Sequence, residues 1–243
     1  MPVNLYGYLI GLNDSKTVQS ITLPNNPTVI ILAMTLAQKP TAVSLASAFN
    51  RVGIYTDGRS FSGGLDGGGY AYSATQLGAS QIWDSATFKF GPANANNVVS
   101  CNAQTIQLPA NRYTTLLLLA TGVQANQTSE SFAVTYTDNT TATLVQSFSD
   151  WINVTDYADQ SVAVTMPYRL GNNGSANSAN THLYGYVFPL NNTKSVKSLK
   201  FPINAENLEV LAVSLANTPL PVLLQTNYNR AGIPTYQVPR RHS

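Results

Sequence analysis

The chain has 243 residues, only 10% of them charged, with 13 Lys and Arg against 11 Asp and Glu for a formal net charge of +2. So thin a charge excludes the clustered cationic surface with which proteins hold nucleic-acid backbones. With 16 Gly, 13 Pro and a polar surface left to Asn, Ser, Thr, Gln and Tyr, it points to a turn-rich extracellular β-protein rather than a helical cytosolic one.

Alternation and β-branched runs predict strands near 5–12, 17–23, 28–37, 86–90, 103–108, 113–121, 131–137, 140–148, 160–166, 183–190, 195–201 and 207–216. The strings NDSK, PNNP, TDNT and NNTK between them are turn chemistry. TYTDNTTATL (135–144) reads as a hairpin with Asp138-Asn139 at its bend. The most apolar stretch, YTTLLLLATGV (113–123), has the length of a strand and falls short of the ~20 residues of a membrane span. Cys101 is alone, so no intramolecular disulfide forms, and its apolar neighbours suit a small buried side chain. Strands joined by short turns, without intervening helices, predict an all-β fold, an antiparallel β-sandwich of jelly-roll type.

The chain repeats itself. LYGYLIGLNDSKTVQSITLPNNP (5–27) aligns with LYGYVFPLNNTKSVKSLKFPINA (183–205). After one inserted residue, 28–56 aligns with 207–235. The period, near 178 residues, is that of a whole domain. The expected organisation is therefore a partial copy of a preceding unit's terminal strands (1–47), a complete β-sandwich (48–217), and the start of a following unit with a tail (218–243). Both copies present the same inward side chains to one slot. The surplus set must then either widen the sheet or pair with another molecule, and a dimer or homo-oligomer formed by strand exchange is expected.

The stretch AFNRVGIYTDGRSFSGGLDGGGYAYSATQLG (48–78) is followed by GPANANNVVS (91–100), FAVTYTD (132–138), SFSDW (147–151), TMPYR (165–169) and the closing segment 183–216. These strings, in this order, resemble a β-sandwich module appended to secreted microbial hydrolases, many of them glycoside hydrolases and some peptidases. The resemblance covers 48–216. It implies a secreted, carbohydrate-binding-like accessory unit. The ending YQVPRRHS departs from the DGRSFSGG that follows the first copy.

Two sets of side chains are candidates for a site. Tyr70 and Tyr72 share a strand face, and Trp151 and Tyr157 lie in a loop-like stretch. Such aromatic faces, flanked by Asp and Asn, stack on sugar C–H faces and would hold a glycan or polysaccharide. Asp57 and Asp66 bracket a glycine run, Gly63, Gly64 and Gly67–Gly69, and with loop carbonyls they could hold Ca²⁺. The competing reading is that these carboxylates cap turn N–H groups. No catalytic set stands out: there are two histidines, His182 and His242, and Ser60 and Ser62 lack the glycines of a nucleophile elbow. Three functions remain open. One is a non-catalytic accessory module that binds carbohydrate or serves as spacer. Another is a Ca-dependent hydrolase of glycosides, esters or lactones working through Asp57 or Asp66. The last is a structural repeat of a surface array.

Overall fold

Leu116, Leu117, Leu118 and Leu119 follow one another in a single strand, so their side chains leave alternately on opposite faces. All four are nevertheless buried. A strand buried on both faces lies inside a covered sheet. The computed structural model, which describes residues 4–8, 10–13, 15–222 and 224, places it there. Thr35–Leu220 form one compact unit, and Met1–Met34 with Pro221–Ser243 form a second.

In chain order the strands are β1 (Thr35–Leu36), β2 (Thr41–Val43), β3 (Ile54–Tyr55), β4 (Tyr70–Ser73), β5 (Ser80–Trp83), β6 (Ala86–Lys89), β7 (Val99–Cys101), β8 (Thr105–Gln107), β9 (Thr115–Gly122), β10 (Gln127–Tyr136), β11 (Thr141–Phe148), β12 (Gln160–Met166), β13 (Arg169–Gly171), β14 (Ala176–Asn177), β15 (Thr181–Pro189), β16 (Val196–Lys200), β17 (Ala205–Ala216) and β18 (Leu220–Pro221). One helical turn, α1 (Ala74–Leu77), follows β4, with Ser73 as its N-cap accepting from Gln76 N–H. The larger sheet of the sandwich runs β12-β15-β9-β17-β2, with β7 also paired to β17; the smaller runs β11-β10-β16-β8. Every pair in both sheets is antiparallel. The fold is thus an antiparallel β-sandwich.

The two sheets enclose the main core, in which Leu116, Leu118 and Ala120 of β9 meet Phe132, Phe148, Phe188 and Phe201. Phe132 is its hub, with ring centroids 5.9–6.0 Å from the other three. Leu117 and Leu119 point the other way, into a second core with Tyr72, Leu77, Phe88 and Trp151. The β5–β6 hairpin, β4 and α1 therefore form a cover over the outer face of the larger sheet. Cys101 is buried, and burial pushes its thiol well above the usual range, so it serves as a small apolar side chain. The β10–β11 turn forms as the sequence suggests. Asn139 takes φ +64°, and Asp138 Oδ1 accepts from Thr140 N–H at 3.0 Å.

The first three expected strands are largely missing among the described residues. Among the described residues of 4–34 there is no strand, and of 28–37 only Thr35–Leu36 is extended and paired. Their counterparts at 183–216 already occupy the sandwich as β15, β16 and β17, and a strand without a neighbour has unpaired N–H and C=O groups.

Candidate functional site

The glycine run is shaped around Tyr70. Leu65 N–H donates to Tyr70 C=O at 2.8 Å, and Gly69 N–H to Gly63 C=O at 2.7 Å. A Cβ on Gly64 would lie 2.3 Å from Tyr70 O, and Gly64 has φ +86°, so only glycine fits there. Asp66 Oδ1 accepts from Gly68 N–H at 2.8 Å and Tyr70 N–H at 3.0 Å. This is the capping role weighed against metal binding in the sequence.

β4 then pairs with β13, Leu170 opposite Ala71 and Gly171 opposite Tyr70, and β13 pairs with β14. The 171–175 turn is sewn to the glycine-rich side by Gly58 N–H to Gly174 C=O at 2.9 Å and Phe61 N–H to Asn172 C=O at 2.8 Å. Between the two loops lies a groove of about 320 Å³, lined by Gly68, Gly69, Tyr70, Asn172, Asn173 and Asn177 among others. Arg169 stacks its guanidinium 3.5 Å from the centre of the Tyr70 ring and donates from Nε to Asn177 Oδ1 at 3.1 Å. The lining consists of glycine backbone, carboxamides, a hydroxyl and one half-buried aromatic.

The sequence-selected residues separate. Tyr70 belongs to the groove. Tyr72 and Trp151 do not: both are buried, in an edge-to-face pair with centroids 5.4 Å apart. Tyr72 donates its hydroxyl to His182 C=O at 2.6 Å, and burial raises its phenol well above the usual value. With Tyr72 and Trp151 in the core, neither offers a face to a sugar; Tyr70 packs against the same core but is only half-buried. Tyr157 is half-buried and is not among the groove's lining residues.

Asp57 sits beside the end of β4, where Ser73 Oγ donates to its Oδ1 and Tyr168 OH to its Oδ2 at 2.7 Å. Burial raises its carboxyl, but the hydrogen bonds from Ser73, Tyr168 and Thr75 outweigh that and hold it below the usual range. The donors facing Asp57 and Asp66 are N–H and O–H groups, which fit a carboxylate and would have to turn away from a cation. Among the described residues no group of three or more His, Cys, Asp or Glu side chains converges.

Arg169 and the asparagines of the opposite wall were not legible in the sequence, because stacking across β4 and β13 depends on the pairing of two distant segments. A buried Arg–Glu contact was missed as well. Arg51 Nη1 contacts Glu209 Oε1, and the Glu209 side chain is fully buried with Oε2 unpartnered. Its signal was present: Glu209 is a lone acid in the run NLEVLAVSLA, where the first copy has Ile30.

Fold and groove together define a β-sandwich module with a groove whose lining residues carry no charged side chain. The chain belongs to the AziU2-like beta-sandwich domain family, whose model matches residues 38–219. No curated protein sequence matches it.

Proposed function

We propose that the protein is a non-catalytic, secreted accessory module that binds a neutral, hydroxyl-rich ligand, a glycan or polysaccharide chain, in the groove between Gly68–Tyr70 and Gly171–Asn177. One observation carries the reading. The groove's walls are backbone amides, carboxamides and one tyrosine, with no charged side chain lining it. Such walls supply the paired donors and acceptors that sugar hydroxyls satisfy, and one aromatic, a face of which Arg169 already covers. At about 320 Å³ the groove has room for one or two sugar rings. Low overall charge supports an extracellular setting. The engagement of Asp57 and Asp66 by their own neighbours favours binding over hydrolysis through those residues.

The test is a glycan array followed by calorimetry. Tyr70→Ala and Asn172→Ala should each weaken binding of the best glycan at least about tenfold, with the fold retained by circular dichroism. An array without a hit, or a hit that both variants bind unchanged, refutes the reading. A second reading, a structural repeat of an array, is favoured by one feature of the sandwich: Leu215, near the end of β17, lies opposite Thr41, where β2 starts. A module whose exit adjoins its own start can be joined to the next by a short link.

A further inference from the structure

Residues 5–37 carry the pattern of the strands that complete the sandwich, yet among the described residues of 5–34 none forms a strand. In β15, Leu183, Tyr184 and Tyr186 are buried, and the tyrosines have specific work. Tyr184 OH donates to Asp150 C=O at 2.8 Å. Tyr186 OH donates to Gln160 Oε1 at 3.0 Å and accepts from Ser149 N–H at 3.3 Å. Gly185 lies under the Trp83 ring, which leaves no room for a Cβ. The first copy repeats this set as Leu5, Tyr6, Gly7 and Tyr8. There Leu5 is 79% and Tyr8 84% exposed, where Leu183 and Tyr186 are 0%. Val18 and Ile21 likewise match buried Val196 and Leu199, and Val29, Leu32 and Leu36 match buried Leu208, Leu211 and Leu215.

The local turn is also duplicated. Thr193 N–H and Oγ1–H donate to Asn191 Oδ1 at 3.0 and 2.7 Å. Ser15 N–H and Oγ–H donate to Asn13 Oδ1 at the same 3.0 and 2.7 Å. The one residue that the first copy lacks corresponds to Glu206. It falls in the irregular stretch between Ala205 and Glu209, where β17 slips register against β7, so its loss removes no regular pair.

We propose that residues 5–37 are a second set of strands for the berth held by β15, β16 and β17, able to fill it in the same chain by folding back through residues 37–40. The register of β17 on β2 makes the route short. Val213, Ser214 and Leu215 face Val43, Ala42 and Thr41. Their counterparts are Met34, Thr35 and Leu36. Placed in the same register, Leu36 would face Thr41 across a loop of about four residues, 37–40, a common hairpin length. The two arrangements are circular permutants of one module that share everything from β2 to β14. Exchange between two chains does not relieve the surplus, because each chain brings one berth and two sets. A cis choice therefore underlies any association.

The differences between the sets explain which one holds the berth. Phe188 and Phe201 become Ile10 and Leu23, which fill the main core less completely. Glu209 becomes Ile30, which removes the carboxylate that faces Arg51. Ala205, opposite Cys101 in the β17–β7 pairing, becomes Pro27, which has no N–H to give.

The test weakens the resident set in the full chain with Leu199→Asp and Leu208→Asp, two charges at fully buried positions. Hydrogen–deuterium exchange then reads which copy is protected. The expected result is a retained near-UV circular dichroism signal, loss of protection over 183–216, and exchange over 5–36 slowed by about 100-fold or more. Adding Ile21→Asp and Val29→Asp to that variant should unfold it, while the same pair in the otherwise native chain should leave the spectrum unchanged. Global unfolding of the first variant overturns the proposal. So does a folded variant in which 5–36 still exchange as open chain.

Discussion

Glu209→Gln is the most incisive single change, because Glu209 is the one fully buried acid among the described residues and its environment sets the sign of a pH effect. Burial pushes its carboxyl from 4.5 up to about 8, with Asp66 adding to the rise and Arg51 opposing it. The folded protein therefore holds a proton that the unfolded chain releases. Stability from this group is complete below pH 4.5 and is lost as pH rises towards 8. Each pH unit in that window corresponds to ~1.4 kcal/mol, so the full loss is on the order of a few kcal/mol. The glutamine side chain would keep an acceptor for Arg51 and carry no titrating proton. Urea denaturation at pH 5, 7 and 8.5 should show the native protein weakening towards high pH and the variant without that loss between pH 7 and 8.5. The range suits the assay. His182, whose ring burial holds below its usual 6.5, acts in the opposite direction and chiefly at the acid end. The buried tyrosines and Cys101, all pushed upward, act above this range. Equal slopes for the two proteins, or stability that rises with pH only in the native one, would refute the assignment of the proton to Glu209.

Gly185→Ala would place a Cβ 2.1 Å from the Trp83 ring, so the ring must leave β15; a loss of ~1–3 kcal/mol in denaturant titrations, with a red-shifted tryptophan emission, is expected. Trp151→Ala removes a fully packed core side chain and should cost ~3–5 kcal/mol, while glycan affinity in the still-folded fraction stays unchanged. Asp57→Ala strips the acceptor from Ser73 and Tyr168 and should lower stability by ~1–3 kcal/mol equally with and without calcium; a calcium-dependent rise in melting temperature that this substitution abolishes would instead assign an ion there. The apolar side chains exposed along 5–36 should draw chains together, so sedimentation velocity at micromolar concentration is expected to show a dimer, and a purely monomeric boundary would count against it.

Particular residues show what was readable in advance. The strand expected at 113–121, the 140–148 alternation and the Asp138-Asn139 bend became β9, β11 and the turn before it, because strand period and turn chemistry are local properties. β4 was read only through Tyr70 and Tyr72, while β5, β7 and β13 were not legible, being three or four residues long and defined by the partner rather than by a pattern. Asp66 as a turn cap was one of two readings that its sequence allowed; the direction of the Gly68 and Tyr70 N–H groups separates them. The groove depended on β4 meeting β13, a contact between segments far apart in the chain.

By itself the sequence determined an all-β chain that carries the sequence of its closing strands twice, since composition, alternation and self-similarity need no partner to be read. Only the tertiary structure decided which copy lies in the sandwich, that Tyr72 and Trp151 face inward, and that Arg169 stacks on Tyr70. Burial and pairing are properties of two segments at once, and nothing in either segment alone states which neighbour it will have.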